Sequence, residues 1–492
     1  MYTLLISIAA LLLGYFVYGA FVEKVIGPDP KKPTPAYSSN DGIDFVPLPT
    51  WKVFMIQLLN IAGTGPIFGA IAGALFGPAC YLWIVLGCIF AGAVHDYLAG
   101  MLSLNHGGAN LPELIGEYLG RPSKAIMLCF SVLLLLLVGA VFVYSPAVIL
   151  GGMFKDGFFA NDMVWVGVVL IYYIIATLVP VDKIIGRIYP IFAISIIFMA
   201  VSMLVFLIIK WPVETPEIWD GLHNLAPEKG RIFPCLFITI ACGAISGFHA
   251  TQSPIMARCI KNEKLGRPIF YGSMITEGAI ALIWAAVASY FFHGGGAEAM
   301  GAVDPATGAI SVTAAPAVVT LVSKKWLGVA GSILAMLGVV AAPITSGDTA
   351  LRSCRLIIAD ALKVDQKPIL KRLLVSIPIF LVCARLLQIY IGEPDGFDII
   401  WRYFGWSNQT LAVFTLWALT VYLSGKKGLY YLITLIPACF MTSVCLTFIL
   451  TAKIGFGITD LYAPSFGVAI FLISLGVFYL VKFSIKKTGE SN

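Results

Sequence analysis

Charged residues are scarce in this sequence of 492 residues: Asp, Glu, Lys and Arg make up 12% of it, about half the share found in soluble globular proteins. Hydrophobic residues make up 59%, and the mean hydropathy is +0.92. This composition excludes a soluble enzyme. A helix that crosses a bilayer needs about 20 predominantly apolar residues, and runs of that length recur along the chain. The sequence therefore predicts an all-α, polytopic membrane protein.

The sequence also lacks the motifs that identify several enzyme classes. It contains no GxxxxGK(S/T) phosphate-binding loop, so ATP is not expected to drive the protein directly. It contains no HExxH or GxSxG string, which argues against an intramembrane hydrolase. We therefore expect a protein that is not an enzyme and that needs no cofactor beyond a coupling ion.

Neither the cysteine content nor the net charge indicates a special structural module or a nucleic-acid partner. The ten cysteines lie mostly inside apolar runs, as Cys242 does, and are interpreted as packing residues rather than as a disulfide framework or a zinc module. The net charge of +6 comes from Lys and Arg in loops, so it reflects topology and not a nucleic-acid partner. The expected partners are the lipid bilayer and a small-molecule substrate, and the sequence predicts no oligomeric state.

Apolar segments, split at Gly and Pro and allowed one ionisable residue, predict about thirteen membrane spans. They cover roughly residues 2–22, 53–76, 79–103, 125–152, 162–180, 188–210, 232–256, 268–292, 326–348, 372–391, 404–424, 428–452 and 462–483. With the N-terminus outside, 23 of the 32 Lys and Arg residues fall on the inner side, as the positive-inside rule requires. We expect a bacterial cytoplasmic membrane protein with a cytoplasmic C-terminus. Because residues 1–22 lack a positive n-region and a small-residue cleavage site, the first span is expected to be retained.

Two of these spans carry breaks at corresponding positions. Gly63, Thr64 and Gly65, followed by Pro66, interrupt the second span, and residues 243–247 interrupt the seventh. Freed backbone groups at mid-membrane are tolerated only against protein or a watery cavity. The breaks are five helices apart, as an inverted repeat of five plus five helices with a site between its halves requires. Close helix packing is the alternative explanation for such glycines.

This spacing predicts one transmembrane transporter domain over residues 1–492. Its parts would be an extra N-terminal helix (1–26), a first repeat (53–256), a second repeat with the helices that follow it (268–452) and a C-terminal helix (453–492).

The substrate is expected to bind between the two breaks, on unwound backbone and on polar side chains of the seventh and eleventh spans. The candidate residues are Gly63, Thr64, Gly65, Gly243, Ser246, Gly247, His249, Asn408 and Gln409. For His249 the alternative is a core histidine with all its hydrogen bonds satisfied. For Asn408 and Gln409 the alternative is a bridge between helices.

One hypothesis for ion coupling is proton exchange at Asp96, assisted by His95 or Asp348. An ionisable residue within a membrane helix is costly and is by default a functional candidate. Asp96 lies four residues after Gly92 and four before Gly100, so its carboxylate shares a small-residue helix face. A structural carboxylate near the inner end of the span is the alternative.

The other hypothesis is a sodium-like site. The carbonyls of Ala62 and Gly63 and the hydroxyls of Thr345 and Ser346 would coordinate the ion through oxygen. Ser and Thr hydroxyls also often bond to their own helix, which is the alternative here. We favour protons, because a hydroxyl pair brings no negative charge to compensate a buried Na⁺. Glu277, taken to lie near a helix end, is interpreted as structural.

Six strings carry a resemblance to a known family. They occur in order between residues 42 and 412 and read GIDFVPLPTWKVF, IAGTGPIFG, AGAVHDY, ACGAISGFHATQSP, TSGDTALR and FGWSNQTLA. The chain thus resembles the carbon starvation protein A family of bacterial inner-membrane transporters. One departure is His95, where the family motif reads AGAVQD. The chain is also short for the family, whose members often carry a longer C-terminal region.

The resemblance implies the leucine-transporter fold with an extra N-terminal helix, and uptake of short peptides or pyruvate during nutrient limitation. We therefore expect an ion-coupled secondary active transporter linked to carbon starvation. The alternative is a passive channel or a nutrient-sensing membrane protein. A carboxylate is common to peptides and pyruvate, and the sequence does not choose between them.

Overall fold

The computed structural model describes residues 1–42, 44–154, 156–178, 181–211, 214–366, 368–392, 396–426 and 428–489, without the side chains of 178, 181–190, 329–336, 390, 392, 396–399 and 483–489. Within these residues the regular secondary structure is all helical, and the β-structure is limited to an isolated bridge between Val303 and Ile310. The predicted all-α class is confirmed.

The long helices and the two half-helix pairs follow one another along the chain. They are α1 (Tyr2–Ile26), α2 (Thr50–Ile61), α3 (Gly65–Ala74), α4 (Ala79–Asn105), α5 (Leu111–Gly151), α6 (Asp162–Leu178), α7 (Val181–Ile209), α8 (Phe237–Thr239, after a helical turn over Ile232–Leu236), α9 (Gly247–Ala257), α10 (Glu263–His293), α11 (Ala315–Ala361), α12 (Ile369–Gly392), α13 (Gly396–Ser424), α14 (Leu432–Thr451) and α15 (Ala463–Gly489).

Several of these helices are suited to cross a membrane. Among the described residues, eight are long and apolar enough by length and composition, or nine if the bent pair α2–α3 is one span. The chain is therefore a polytopic helical membrane protein, and the count of thirteen spans stays a prediction.

Both predicted breaks are confirmed. Helix α2 ends at Ile61, α3 begins at Gly65, and the two helices are bent by 51°. Pro66 has no backbone N–H to continue a helical ladder, which explains an interruption here. The second break separates Thr239 at the end of α8 from Gly247 at the start of α9.

The two breaks pack directly against each other. A Cβ built on Gly65 would lie 2.3 Å from the Cys242 Sγ in the second break. One built on Gly243 would lie 2.6 Å from the Cβ of Ala281 on α10. These glycines are needed because no side chain fits where the backbones approach.

The loop over residues 28–49 is fastened to the connection between α9 and α10. The Thr34 hydroxyl donates to the Ile260 carbonyl at 2.5 Å, and the Leu48 amide donates to the Cys259 carbonyl at 3.2 Å. The Asp29 amide donates to a Glu263 carboxylate oxygen at 2.8 Å. The Asn262 side chain also donates to the Pro30 carbonyl at 2.9 Å. The loop is therefore held to the segment that joins α9 to α10.

Candidate functional site

A buried carboxylate between two histidines lies beside the second break. On α4, Asp96 Oδ1 lies 2.8 Å from the Nδ1 of the adjacent His95, and Oδ2 lies 2.8 Å from the Nδ1 of His249 on α9. All three side chains are fully buried. An ionised carboxylate only accepts hydrogen bonds, so in that state each Nδ1 is the donor. The structure thus joins residues that the sequence analysis had assigned separately to ion coupling and to substrate binding.

A second carboxylate extends this cluster. Glu277 on α10 places Oε2 3.5 Å from the Nε2 of His249, and the side chain is fully buried. Neither carboxylate oxygen of Glu277 has a hydrogen-bond partner among the described residues. The interpretation of Glu277 as a group near a helix end is wrong, because it lies inside α10 and faces the site. His249 therefore stands between two carboxylates.

Cys242 adds a sulfur atom to the same place. Its Sγ, a ring nitrogen of His249 and a carboxylate oxygen of Glu277 all lie within 4.8 Å of one another. The Asn408 amide lies 3.8 Å from the same sulfur, with its Nδ2 as the donor. Thiol, imidazole and carboxylate are the ligand types that bind zinc-like ions, so this group is one that could hold a metal.

Asn408 on α13 holds the beginning of α9. Its Oδ1 accepts hydrogen bonds from the Ser246 hydroxyl at 3.0 Å and from the Phe248 amide at 2.7 Å. A Cβ on Gly247 would lie 2.3 Å from the Asn408 carbonyl oxygen. The first amides of a helix have no partner within it, and the Asn408 side chain supplies one. Its neighbour Gln409 donates instead to the Phe237 carbonyl on α8, at 3.2 Å.

The first break has its own polar contacts. The Ser346 hydroxyl on α11 donates to the Leu59 carbonyl at 2.7 Å, and its Oγ lies 3.1 Å from the position of a Cβ on Gly63. The hydroxyl of Thr64 is buried and has no hydrogen-bond partner among the described residues. Ser346 and Gly63 are therefore brought together, as the cation hypothesis requires.

Thr345 and Asp348 have other contacts. The Thr345 hydroxyl lies 2.9 Å from the carbonyls of Ala341 and Ala342 in its own helix. Asp348 Oδ1 is 3.9 Å from the guanidinium of Arg352, one turn along α11. That guanidinium donates to the Ala176 carbonyl at 2.6 Å. These contacts do not include the Asp96 cluster.

Glu277 and Cys242 are site residues that the sequence did not predict. Glu277 carried a usable signal, since any ionisable residue within a membrane segment is a functional candidate. Cys242 carried a weaker one, its place directly before the glycines of the second break.

Comparison with protein families gives a match along most of the chain. The model of the family described as "Carbon starvation protein CstA" matches residues 1–150, 144–329 and 297–448.

Individual relatives include named transporters. A Haemophilus influenzae "uncharacterized membrane protein" is 47% identical over 58% of this chain and 90% of its own length. The "peptide transporter CstA" of Campylobacter jejuni is 27% identical over 89% of this chain and 78% of its own. The "pyruvate/proton symporter BtsT" of Escherichia coli is 28% identical over 58% of this chain and 48% of its own. The match thus spans about half the length of the E. coli protein.

Two solved structures share the fold. A Na⁺-coupled sialic acid symporter in a substrate-bound, outward-open state has a TM-score of 0.54 and 14% identity, over 96% of this chain and 95% of that one. MhsT in complex with L-phenylalanine has a TM-score of 0.56 and 14% identity, over 86% and 98%. At this identity the likeness concerns the fold alone.

Proposed function

Because the chain belongs to the carbon starvation protein CstA family, we propose that it is a secondary active transporter. It takes up short peptides or pyruvate across the bacterial cytoplasmic membrane under carbon starvation. One observation carries the proposal: two broken helices meet at their breaks, with Gly65 against Cys242. Discontinuous helices that face each other are the usual frame of a substrate site in such transporters.

We propose that the two halves of the fold are inverted repeats, and that each half begins with a broken helix, the first with α2–α3 and the second with α8–α9. The second repeat would then begin before residue 268, the start that the sequence suggested. A second pair of features supports this, since the long helices α5 and α11 each contain a non-helical glycine near their start. Gly120 has φ 87° and Gly328 has φ 63°. Two further helices lie outside the repeat, the N-terminal helix over residues 1–26 and a C-terminal helix within 453–492. The proposed topology places the N-terminus outside the cell and the C-terminus inside.

The proposed substrate site lies along both unwound segments. Thr64 has a buried hydroxyl without a hydrogen-bond partner in the described part of the chain, so it can hydrogen-bond a substrate. Gly63, Gly65 and Gly243 supply backbone. Ser246, Gly247, Asn408 and Gln409 act through the position of α9 and α8, since their described contacts are with protein groups.

Coupling is proposed to use protons at Asp96, with His95 and His249 as its hydrogen-bond partners. The support is geometric: a fully buried carboxylate on α4 contacts the half-helix that follows the second break. Movement of α9 would change the surroundings of Asp96 directly. The sodium alternative uses Ala62, Gly63 and Ser346, while Thr345 would have to turn away from its own helix.

Uptake by reconstituted proteoliposomes tests this function. Labelled dipeptide, tripeptide and pyruvate are supplied with an acidic exterior and no sodium. We expect one class to accumulate above its external concentration, and a protonophore to abolish the gradient. Asp96→Asn should lose accumulation, whereas Asp304→Asn, in the 294–314 loop, should retain it.

The other possible results are distinct. Strict sodium dependence with an active Asp96→Asn protein would replace the proton by a cation. Equilibration without accumulation would indicate a passive channel, and binding without flux would indicate a nutrient sensor.

A further inference from the structure

Three metal-binding side chains from different parts of the fold converge at the second break. The Cys242 Sγ, a ring nitrogen of His249 and a carboxylate oxygen of Glu277 lie within 4.8 Å of one another, and all three residues are buried. Cys242 belongs to the unwound segment, His249 to α9 and Glu277 to α10. We propose that these residues bind one divalent transition-metal ion of the zinc type.

Buried polar atoms that make no hydrogen bond are the first argument. The Nε2 of His249 and both carboxylate oxygens of Glu277 have no hydrogen-bond partner among the described residues. Buried polar groups are nearly always paired, so such atoms require an explanation. A metal ion between them would satisfy Nε2 and a carboxylate oxygen together.

The spacing is the second argument. His249 Nε2 and Glu277 Oε2 are 3.5 Å apart. Tetrahedral zinc with bonds of about 2.0–2.2 Å to nitrogen and oxygen separates two such ligand atoms by roughly 3.3–3.6 Å. A thiolate and a carboxylate also balance the charge of a divalent ion, which a buried site requires. Three protein ligands leave the fourth position open to water or to a ligand oxygen.

The surroundings of the ligands are the third argument. A histidine that binds metal usually gives its other ring N–H to a carboxylate, which fixes the ring and its tautomer. His249 has this arrangement, with Nδ1 2.8 Å from Asp96 Oδ2 and Nε2 pointing towards Glu277. The Asn408 amide donates to the Cys242 sulfur at 3.8 Å. Both ligands are thus oriented by neighbours before any ion binds.

A bound ion would join the unwound segment, α9 and α10 at one point. It would hold the second broken helix in its present arrangement, because none of the three elements could move relative to the others without breaking a bond to the metal.

Metal binding to the purified, full-length protein tests the proposal without any transport measurement. Zn²⁺ titrations should give one tight equivalent per chain in the wild type. Co²⁺ as a spectroscopic probe should give the intense absorption of thiolate-bound tetrahedral cobalt. Cys242→Ser should abolish the thiolate band, and Glu277→Gln and His249→Ala should each weaken Zn²⁺ binding at least about tenfold. Asp96→Asn should weaken binding by roughly 10- to 100-fold, because His249 Nδ1 loses its carboxylate partner.

A matched control is Cys439→Ser, a buried cysteine of α14 outside the cluster, which should bind both metals as the wild type does. Thermal unfolding with and without Zn²⁺ identifies variants that fail to fold, because their transition is lost in both conditions. Absence of a tight equivalent in the wild type would overturn the proposal. So would a Cys242→Ser protein that keeps both the cobalt band and zinc affinity. Failure of uptake in proteoliposomes would leave these results unchanged, so the two proposals fail separately.

Discussion

Gly92 on α4 lies directly against the carbonyl oxygen of Ala244 in the second break: a Cβ built on Gly92 would be 2.2 Å from that oxygen. The same Cβ would be 2.9 Å from the Met274 methyl on α10. Asp96 follows one helical turn later on the same face. The close approach of α4 to the unwound segment is therefore what brings Asp96 within reach of His249.

Gly92→Ala is expected to push α4 and the second break apart. Overpacking of a tight core contact typically costs about 1–3 kcal/mol, and the displacement would lengthen the 2.8 Å contact between Asp96 and His249. We expect lower thermal stability and a loss of proton-driven uptake. Gly167→Ala on α6, where a Cβ meets nothing within 4 Å, should be close to wild type in both measurements. Equal behaviour of the two variants would remove the steric argument.

Asn408→Ala is expected to release the beginning of α9. It removes the acceptor of the Ser246 hydroxyl and the Phe248 amide, and a buried donor left without a partner costs about 1–3 kcal/mol. Asn408→Asp keeps an acceptor at the helix N-terminus, where negative charge is favourable. Uptake rates and thermal unfolding should therefore rank wild type, Asp, then Ala. A stable, fully active Asn408→Ala protein would contradict this ranking.

The two histidines beside Asp96 are expected to differ in importance. His95 contacts Asp96 alone within the cluster, and a glutamine there, as in the family motif, still offers a donor. His249 also faces Glu277 at 3.5 Å. We expect His95→Gln to keep most uptake, and His249→Ala to weaken apparent substrate affinity by roughly 5- to 150-fold, the equivalent of about 1–3 kcal/mol. Unchanged affinity in a folded His249→Ala protein would remove that residue from the site.

Ser346→Ala tests the cation hypothesis. The variant loses the hydrogen bond to the Leu59 carbonyl, a change of about 0.5–1.5 kcal/mol in stability. With proton coupling, uptake driven by a pH gradient without sodium should persist in this variant. Uptake by the wild type that rises with sodium, and a variant that no longer responds, would instead support a cation at the first break.

The helix breaks could be predicted because their causes are local. Pro66 and the glycines around both breaks interrupt a backbone ladder wherever the helix packs, so the pattern along the chain is sufficient. His95 and Asp96 could be predicted for a similar reason, because an ionisable residue inside an apolar segment is recognisable from the sequence alone.

The Asp96 cluster could not be predicted as a unit, because tertiary packing assembles it. Asp96, His249 and Glu277 come from three helices, and Asp96 and His249 alone are 153 residues apart in the sequence. Spacing along a sequence does not show which face of α10 meets α9. The same limit applies to Thr345. Its hydroxyl donates to a carbonyl of its own helix, and the sequence does not show which rotamer a side chain adopts.

The loop over residues 28–49 tethers the N-terminal part of the chain to the connection between α9 and α10. Backbone and side-chain hydrogen bonds join that loop to residues 259–263, and the four that involve nitrogen or oxygen donors, at about 0.5–1.5 kcal/mol each, amount to roughly 2–6 kcal/mol. Alternative conformations of a protein commonly differ by a few kcal/mol. A tilt of α9 would therefore have to move the loop as well. Otherwise it would break hydrogen bonds whose summed free energy is comparable to the free-energy difference between two conformations. A substitution in this loop such as Thr34→Ala, which removes the hydrogen bond to Ile260, would therefore change the balance between conformations from a position outside the Asp96 cluster.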